Sequence, residues 1–252
     1  TTVQHASLHN LDEIERLDVR VGDTVILYKA GDIIPKIKEV IVKLRPSGTH
    51  KTKAPTTCPV CGASVERRED EVAIYCTNPT CFVQDREAIL HAGRAFEIDG
   101  LGPQTIATLL ENGIITSPAD LFLLKPDDML GLEGFADLSA KKLVEQIQAR
   151  RTISLSNFIL ALGIRNVGEQ TAIDIANHFG TLEQMMRASL EDLIEIEGVG
   201  EVVGRSVREY FDEERHRKLV EDYIRNGIVI KTQKTSTKKT QATGKTFVVT
   251  GT

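Results

Sequence analysis

A five-residue pattern, apolar-x-Gly-apolar-Gly, returns along this chain and restricts its fold more than any other feature. The copies read IDGLG at 98–102, LEGFA at 132–136, IRNVG at 164–168 and IEGVG at 196–200, and successive copies begin 34, 32 and 32 residues apart. Such a period is typical of repeated supersecondary units. A longer similarity relates 118–135 to 181–199, about 64 residues later. We therefore predict two pairs of units, and we name the copies hairpins 1 to 4 in chain order.

Each hairpin lies between two segments in which apolar residues recur at three- and four-residue steps, which predicts helices on both sides. A dinucleotide-binding fingerprint would need a preceding strand, so the pattern favours a helix–hairpin–helix. Glycines there permit positive φ and a close approach to another surface, and the unpaired N–H groups of the second helix favour an anion such as a DNA phosphate. The alternative is that the glycine corners only pack helices together. No element with side chains aimed at base edges is evident, so binding is expected to be indifferent to DNA sequence.

The four copies differ in their glycines and their charges. Hairpin 2 has Ala136 in place of the second glycine, a poorer fit that predicts a structural role, whereas Asn166 in hairpin 3 tolerates positive φ. Glu201 at the start of the last of these helices is expected to repel a phosphate. Backbone N–H groups should supply much of the contact, so salt dependence should be shallow. The candidate DNA-binding residues are Gly100, Gly102, Gln104, Gly134, Lys141, Lys142, Arg165, Asn166, Gly168, Gly198, Gly200 and Arg205.

The cysteines form one cluster, spaced C-x2-C, then fourteen residues, then C-x4-C. Thiolates on two short turns can converge on one tetrahedral Zn²⁺, and the intervening EVAIY fits a strand of a zinc ribbon. Two disulfides are the alternative, which nothing secretory in the sequence favours. The predicted ligands are Cys58, Cys61, Cys76 and Cys81. Four protein ligands leave no open position, so the predicted zinc is structural.

Both ends of the chain have the pattern of incomplete β domains. A short helix capped by Asn10, with Glu13 placed for a capping box, precedes strands at 24–29 and 36–44, which is half of a small OB barrel. We expect its first strands to lie upstream of the sequence, and its free edge to promote self-association. Residues 244–252 read as one more strand, after a lysine-rich flexible linker at 232–243.

These segments predict a multidomain α+β protein. The expected parts are an OB portion at 1–52, a four-cysteine zinc ribbon at 53–83, an all-α domain of four helix–hairpin–helix motifs at 84–231, the linker, and a truncated strand. The net charge is −5, and no apolar run approaches the ~20 residues of a membrane span. The sequence therefore predicts a cytoplasmic protein without a membrane partner.

The order of these parts resembles the C-terminal half of bacterial NAD-dependent DNA ligases. ASLHNLDEIERLDVRVGD and KAGDIIP are similar to that family's OB signature, with Lys29 where arginine is usual. CPVCG to CTNPTC is similar to the family's zinc finger, and IDGLG, ALGIRNVGEQTA and IEGVG to its four-motif domain. GKTFVVTGT at 244–252 resembles the first strand of a BRCT domain.

The resemblance implies sealing of nicks in duplex DNA during replication and repair. A lysine of a Lys-x-Asp-Gly motif would be adenylated from NAD⁺, AMP would pass to the 5′-phosphate, and the 3′-hydroxyl would displace it. The only Asp-Gly here is Asp99–Gly100, without that lysine. The NAD⁺ and Mg²⁺ sites are thus expected upstream, with this fragment inactive alone.

The same resemblance implies nicked DNA and the adenylation domain as partners, a monomeric full-length enzyme, and a nucleoid-associated location. Lys29, Asp32, Ile33 and Ile34 are the candidates for aligning the nick with the active site, against the alternative of an ordinary β-hairpin with buried isoleucines. Two other functions compete: a non-catalytic repair scaffold or junction binder, and a zinc-ribbon interaction module of the transcription machinery. The OB signature argues against the scaffold, and the paired hairpins argue against the transcription module.

Overall fold

The structure, a computed structural model, describes residues 2–31, 33–68 and 71–232. Asp32, the predicted linker from residue 233 onward and the predicted BRCT strand lie outside the described residues. The chain divides into two compact units, 1–83 and 84–252.

The first unit is built from short elements. They are α1 (Leu11–Leu17), β1 (Val25–Ala30), β2 (Ile34–Val40), a 3-10 turn (Val42–Leu44), β3 (Val65–Arg67) and β4 (Ile74–Cys76). Asn10 caps α1, because its Oδ1 accepts from the N–H of Glu13 at 2.9 Å. The carboxylate of Glu13 binds Arg16 at 2.6 Å instead of completing the capping box, since a cation one turn away offers a charged partner.

Strands β1 and β2 form an antiparallel β-hairpin, as the sequence predicts, but β2 starts earlier and ends earlier than expected. Pro35 lies within β2, opposite Lys29. None of the described hydrophobic residues in 2–57 is buried, and Ile33 and Ile34 are 79% and 55% exposed. The alternative of buried isoleucines at this turn is therefore wrong.

An ion-paired cluster fastens the end of α1 to the chain that follows β2. Arg45 binds Asp18 at 2.7 Å and Asp23 at 2.8 Å, and its side chain is 12% exposed. Arg20 pairs with Asp18 from the other side at 2.9 Å. The Arg45 and Arg20 guanidinium groups lower the pKa of Asp18 to about 2. This charged cluster supplies the order that a hydrophobic core would otherwise give this segment.

The second unit carries most of the helices and one small sheet. The helices are α2 (Phe82–Ala95), α3 (Pro103–Glu111), α4 (Asp137–Ala149), α5 (Leu155–Ala161), α6 (Glu169–Phe179), α7 (Leu182–Arg187), α8 (Leu190–Ile194), α9 (Glu201–Asp212) and α10 (Glu214–Arg225). Two 3-10 helices, Pro118–Leu123 and Pro126–Met129, precede hairpin 2, where the sequence pattern predicts a regular helix. Prolines at the start of both favour such short turns.

One hydrophobic core joins both predicted pairs of motifs in the second unit. Phe96, Phe122, Phe158 and Tyr223 meet in it with ring centroids 4.8–6.5 Å apart. Phe96 comes from before hairpin 1, Phe158 from before hairpin 3 and Tyr223 from α10. The two pairs are therefore packed as one body.

The domain predicted from sequence to be all-α also contains one pair of parallel strands. Strand β5 (Thr152–Ser154) follows α4 and pairs with β6 (Val229–Lys231), which follows α10. Three-residue strands are too short for the sequence pattern to separate from loops. The predicted α+β class, with a β-hairpin unit, a four-cysteine cluster and helical hairpins, is confirmed.

Candidate metal centre and nucleic-acid interface

The four cysteines converge as the spacing predicts. Their Sγ atoms all lie within 4.8 Å of one another. Cys58 and Cys81 are 4.0 Å apart at sulfur, and Cys61 and Cys76 are 3.4 Å apart. Tetrahedral Zn–S bonds of ~2.3 Å would place the sulfurs about 3.8 Å apart. A disulfide needs ~2.05 Å, and none of the four cysteines forms one, so the disulfide alternative is wrong.

Two tight turns and a strand pair hold these thiols in place. In the first turn the N–H of Gly62 donates to the carbonyl of Cys58 at 2.9 Å. Strands β3 and β4 place Val65 opposite Cys76, and the N–H of Asn78 donates to the Cys76 sulfur at 3.4 Å. The N–H of Ala63 helps to lower the pKa of Cys61 to about 6. Such a thiolate-stabilising turn fits a soft divalent metal.

The first glycine position of every hairpin has the left-handed backbone that a tight turn requires. Gly100, Gly134, Asn166 and Gly198 have φ of 83°, 86°, 60° and 86°. In hairpins 3 and 4 the N–H of Val167 and Val199 closes the turn onto a carbonyl three residues back, at 3.1 and 3.0 Å. A positive φ at the third residue of such a turn selects glycine or asparagine. The expectation that Asn166 fits is confirmed.

The second glycine position has a different character. Gly102, Ala136, Gly168 and Gly200 are helix N-caps in extended conformation, with φ of −87°, −112°, −89° and −84°. Any residue can adopt that backbone, so the backbone itself does not disfavour Ala136, and its poorer fit to a phosphate stays a prediction. A Cβ built on any of the three glycines would meet no atom within 4 Å. Neither the backbone nor internal packing requires glycine at these three positions.

The hairpins expose these N-caps because their apolar residues face inward. Ile98, Leu101, Ile164, Val167, Ile196 and Val199 are buried, whereas the N-caps Ala136, Gly168 and Gly200 are exposed and the N-cap Gly102 is half-buried. Among the described residues, no side chain accepts a capping hydrogen bond at the N-termini of α3, α6 and α9. In α4 the Oγ of Ser139 accepts from the N–H of Ala136 at 2.8 Å. Three of the four helices therefore begin with open donors, and the fourth is partly capped from within.

The charged candidates divide into open and paired groups. Lys141 and Lys142 are exposed on α4 and form no ion pair with a described residue. Arg205 binds Glu201 at 2.5 Å one turn earlier on α9. The expected repulsion by Glu201 is thus offset by its neighbour, since i and i+4 lie on the same helix face. Arg165 is half-buried in hairpin 3, and Gln104 is exposed at the second position of α3.

The β1–β2 turn presents its described candidates to solvent. Lys29 is exposed at the end of β1, opposite Pro35. Ile33 and Ile34 follow the turn and are exposed, as noted above. This end of the β-hairpin therefore offers one cation and two aliphatic side chains to a partner.

Two contacts at the hairpins were missed by sequence reasoning. The Nδ2 of Asn166 donates to the Oγ of Ser206 at 2.9 Å, and a carboxylate oxygen of Asp174 lies 4.0 Å from where a Cβ of Gly198 would be. Ser206 and Asp174 each occupy the sixth position after the N-cap of their helix, α9 and α6. Aligning the helices by their caps would have found this shared position.

Four known domains match this chain. The OB-fold domain of NAD-dependent DNA ligases matches residues 1–49, and the C4 zinc finger domain of the same enzymes matches residues 57–81. A SAM-like helix–hairpin–helix tandem matches residues 95–149, and a helix–hairpin–helix motif matches residues 157–220. The last two matches cover hairpins 1 and 2 and hairpins 3 and 4, which is the pairing that the repeat predicts.

The matches give chemical meaning to both sites. The clustered thiols within a C4 zinc finger support Zn²⁺ as the metal. The helix–hairpin–helix domains indicate DNA binding. None of the described helices has the length and apolar character needed to cross a bilayer. The OB-fold and C4 zinc finger matches, together with the helix–hairpin–helix matches, are consistent with the C-terminal part of an NAD-dependent DNA ligase.

Proposed function

We propose that this chain is the part of an NAD-dependent DNA ligase that holds a nicked duplex while the nick is sealed. The observation that carries the proposal is the glycine at the N-caps of α3, α6 and α9. These positions need glycine for neither backbone nor packing, and they border open helix N–H donors. A DNA phosphate can approach such a backbone closely, and the helix dipole favours its charge.

The proposed contacts read the DNA backbone and not the bases. Gly100, Gly102, Gln104, Gly134, Lys141, Lys142, Arg165, Asn166, Gly168, Gly198, Gly200 and Arg205 are the proposed contact residues. Most of these residues are uncharged and would contact phosphate through backbone N–H groups or side-chain amides. The cation of Arg205 is paired with Glu201. Neutral donors release few counterions, so affinity should depend weakly on salt.

The zinc site has a supporting role in this proposal. One Zn²⁺ would be held by Cys58, Cys61, Cys76 and Cys81. The ion would cross-link the two turns, which bury few hydrophobic side chains. A four-thiolate site has no open position for water or substrate. No catalytic step is assigned to it.

The exposed end of the β1–β2 hairpin is the proposed contact with the nick and the adenylation domain. Lys29, Ile33 and Ile34 are solvent-facing there, and Asp32 completes the candidate set from outside the described residues. The sequence has no Lys-x-Asp-Gly motif. We place adenylation, with its NAD⁺ and Mg²⁺, in another domain of the enzyme and expect this chain alone to be inactive in sealing.

Complementation tests the proposal directly. This chain is mixed with the separately made, pre-adenylated catalytic domain of an NAD-dependent ligase, and sealing of a labelled nick is scored. Sealing above that of the catalytic domain alone is the expected result. In parallel, binding of this chain to nicked duplexes of two unrelated sequences is measured by fluorescence anisotropy. No binding to either duplex at low salt would overturn the proposal.

The salt dependence of that binding tests the mechanism. The slope of log affinity against log salt should be clearly shallower than about −0.9 per phosphate contacted, the value for lysine-based neutralisation of duplex DNA. Phosphates contacted are counted independently, by ethylation interference on the same duplex. A slope near −0.9 per counted contact would contradict a backbone-based clamp.

A further inference from the structure

The second pair of hairpins contains a direct bond between its two members. Asn166 lies in hairpin 3, and its amide donates to the hydroxyl of Ser206 on α9, the helix that follows hairpin 4, at 2.9 Å. The Ser206 hydroxyl in turn donates to the carbonyl of Val202 at 3.0 Å, within the same helix. The serine is therefore anchored in α9 while it accepts from the neighbouring hairpin.

The reverse approach is present in the same pair. Gly198 of hairpin 4 faces Asp174 of α6, the helix that follows hairpin 3, with 4.0 Å between a carboxylate oxygen and the position of a glycine Cβ. The other carboxylate oxygen of Asp174 accepts from Gln170 at 2.9 Å, which fixes its orientation. Each hairpin thus lies against the sixth residue of its partner's helix, as in a two-fold arrangement.

The first pair provides an internal comparison that lacks this bond. Gly100 stands where Asn166 stands in the second pair, and it has no side chain to donate. A Cβ at Gly100 or at Gly134 would meet no atom within 4 Å. The sixth residues of the partner helices are Lys142 in α4 and Thr108 in α3. The two pairs therefore differ in how firmly their hairpins are tied together.

We propose that Asn166 is a positioning residue that, through Ser206, ties hairpins 3 and 4 into one preformed DNA-backbone site, and that this tie is absent from the first pair. The inference rests on the proposed DNA-binding function. Holding two contacts at a fixed separation removes part of the ordering cost of binding both at once. Asparagine tolerates the positive φ of the turn and also carries a side-chain amide that can donate, which glycine lacks.

A double-mutant cycle on the whole chain tests this tie. Asn166→Gly keeps the positive φ and removes the amide, whereas Ser206→Ala removes the acceptor and leaves hairpin 3 untouched. Each single variant should weaken binding to a nicked duplex by about threefold, in the range that one hydrogen bond supplies. The double variant should be no weaker than either single variant, because all three lack the same bond. Thr108→Ala is the control, a hydroxyl removed at the sixth position of α3 in the first pair, and should bind as the unaltered chain does.

Hydrogen exchange supplies a readout that is independent of DNA. Amides of residues 164–168 should exchange faster in Ser206→Ala than in the unaltered chain, while the melting temperature of the second unit stays the same. Additive losses in the cycle, or unchanged affinity and unchanged exchange in Ser206→Ala, would overturn the tie. If the unaltered chain does not bind DNA, the proposed function fails, and the exchange result still decides whether the two hairpins are coupled.

Discussion

At the scale of single residues, the two glycines of hairpin 4 occupy different backbone environments, so they have different physical reasons to be glycine. Gly198 has a φ of 86°, a backbone conformation that is strained in residues with a side chain. Gly200 has a φ of −84°, and a Cβ added there would meet no atom within 4 Å. The sequence pattern predicts that glycine matters at both positions. It could not say why, because the pattern carries no backbone angle and no partner surface.

These two glycines provide a matched pair of alanine variants. Gly198→Ala should lower the free energy of unfolding by about 1 kcal/mol or more, because alanine is strained at positive φ. Gly200→Ala should leave stability within about 0.5 kcal/mol and weaken DNA binding, since its Cβ would stand where a phosphate approaches. Urea denaturation and anisotropy with a nicked duplex measure the two effects.

Ala136 permits the reverse substitution in the same surroundings. Ala136→Gly should leave folding little changed and strengthen DNA binding if hairpin 2 contacts phosphate. Unchanged affinity would assign hairpin 2 a structural role, in keeping with the bond from Ala136 to Ser139. Equal losses of stability in Gly198→Ala and Gly200→Ala would contradict the distinction between the two glycine positions.

At the scale of elements, ion pairs connect α1 to the chain after the β1–β2 hairpin, whereas a hydrophobic core joins the elements of the second unit. Asp18 and Asp23 are paired with Arg45, and the guanidinium lowers the pKa of both carboxyls, that of Asp18 to about 2. Sequence periodicity predicted the helix and both strands. It could not predict this cluster, because Asp18 and Arg45 are distant in sequence and no pattern pairs them.

The lowered pKa values predict an acid-sensitive first unit. A carboxyl whose pKa is lower when folded contributes stability that is complete above its unfolded pKa near 4 and is lost as pH falls through its folded pKa. Stability of the first unit should therefore decline between about pH 4 and about pH 2. Thermal melting followed by NMR resonances of residues 11–45 measures it, with a carboxyl ¹³C titration of Asp18. Asp18→Asn should flatten much of the decline; an unaltered decline would contradict the assignment.

At the scale of the whole molecule, the two units have separate sources of stability. Apart from Cys58 and Cys81, every fully buried hydrophobic residue in the described part of the chain lies between Ile89 and Ile228. The sequence predicted the zinc site from spacing alone, since four thiolates suit one tetrahedral ion. It could not predict that the OB portion would have so little buried surface, because burial depends on what packs against a strand.

Removal of the metal should therefore affect the two units unequally. Chelation should unfold mainly residues 55–83, because metal binding supplies folding free energy to such a small module. The helical circular dichroism signal should be largely kept, since α3 to α10 belong to the second unit. Metal analysis should give one zinc per chain before chelation, and Cys61→Ser should reproduce the effect. Loss of the whole helical signal with the metal would show that the second unit depends on the zinc site.

The exposed sheet of the first unit predicts association at high concentration. In the described residues β1 pairs only with β2, so its other edge has free backbone groups, and Ile26 and Tyr28 are 39% and 46% exposed. Open edges with apolar side chains promote pairing between chains. Sedimentation velocity over a hundredfold concentration range should show growth in mass, and Tyr28→Lys should reduce it. A monomer throughout, with β1 amides protected from hydrogen exchange, would contradict this.

The short parallel pair of β5 and β6 has a topological consequence. It brings the start of the second pair of hairpins beside its end, because Thr152 lies opposite Val229. The strands are parallel and Lys231 lies opposite Ser154, so a linker from Lys231 to Thr152 would have to cross between the strands and run back along them, which calls for about a dozen residues. The strand pair therefore ties the two ends of the segment 152–231 to each other, but the segment cannot be cut out of the second unit intact, because its Phe158 and Tyr223 pack against Phe96 from outside it.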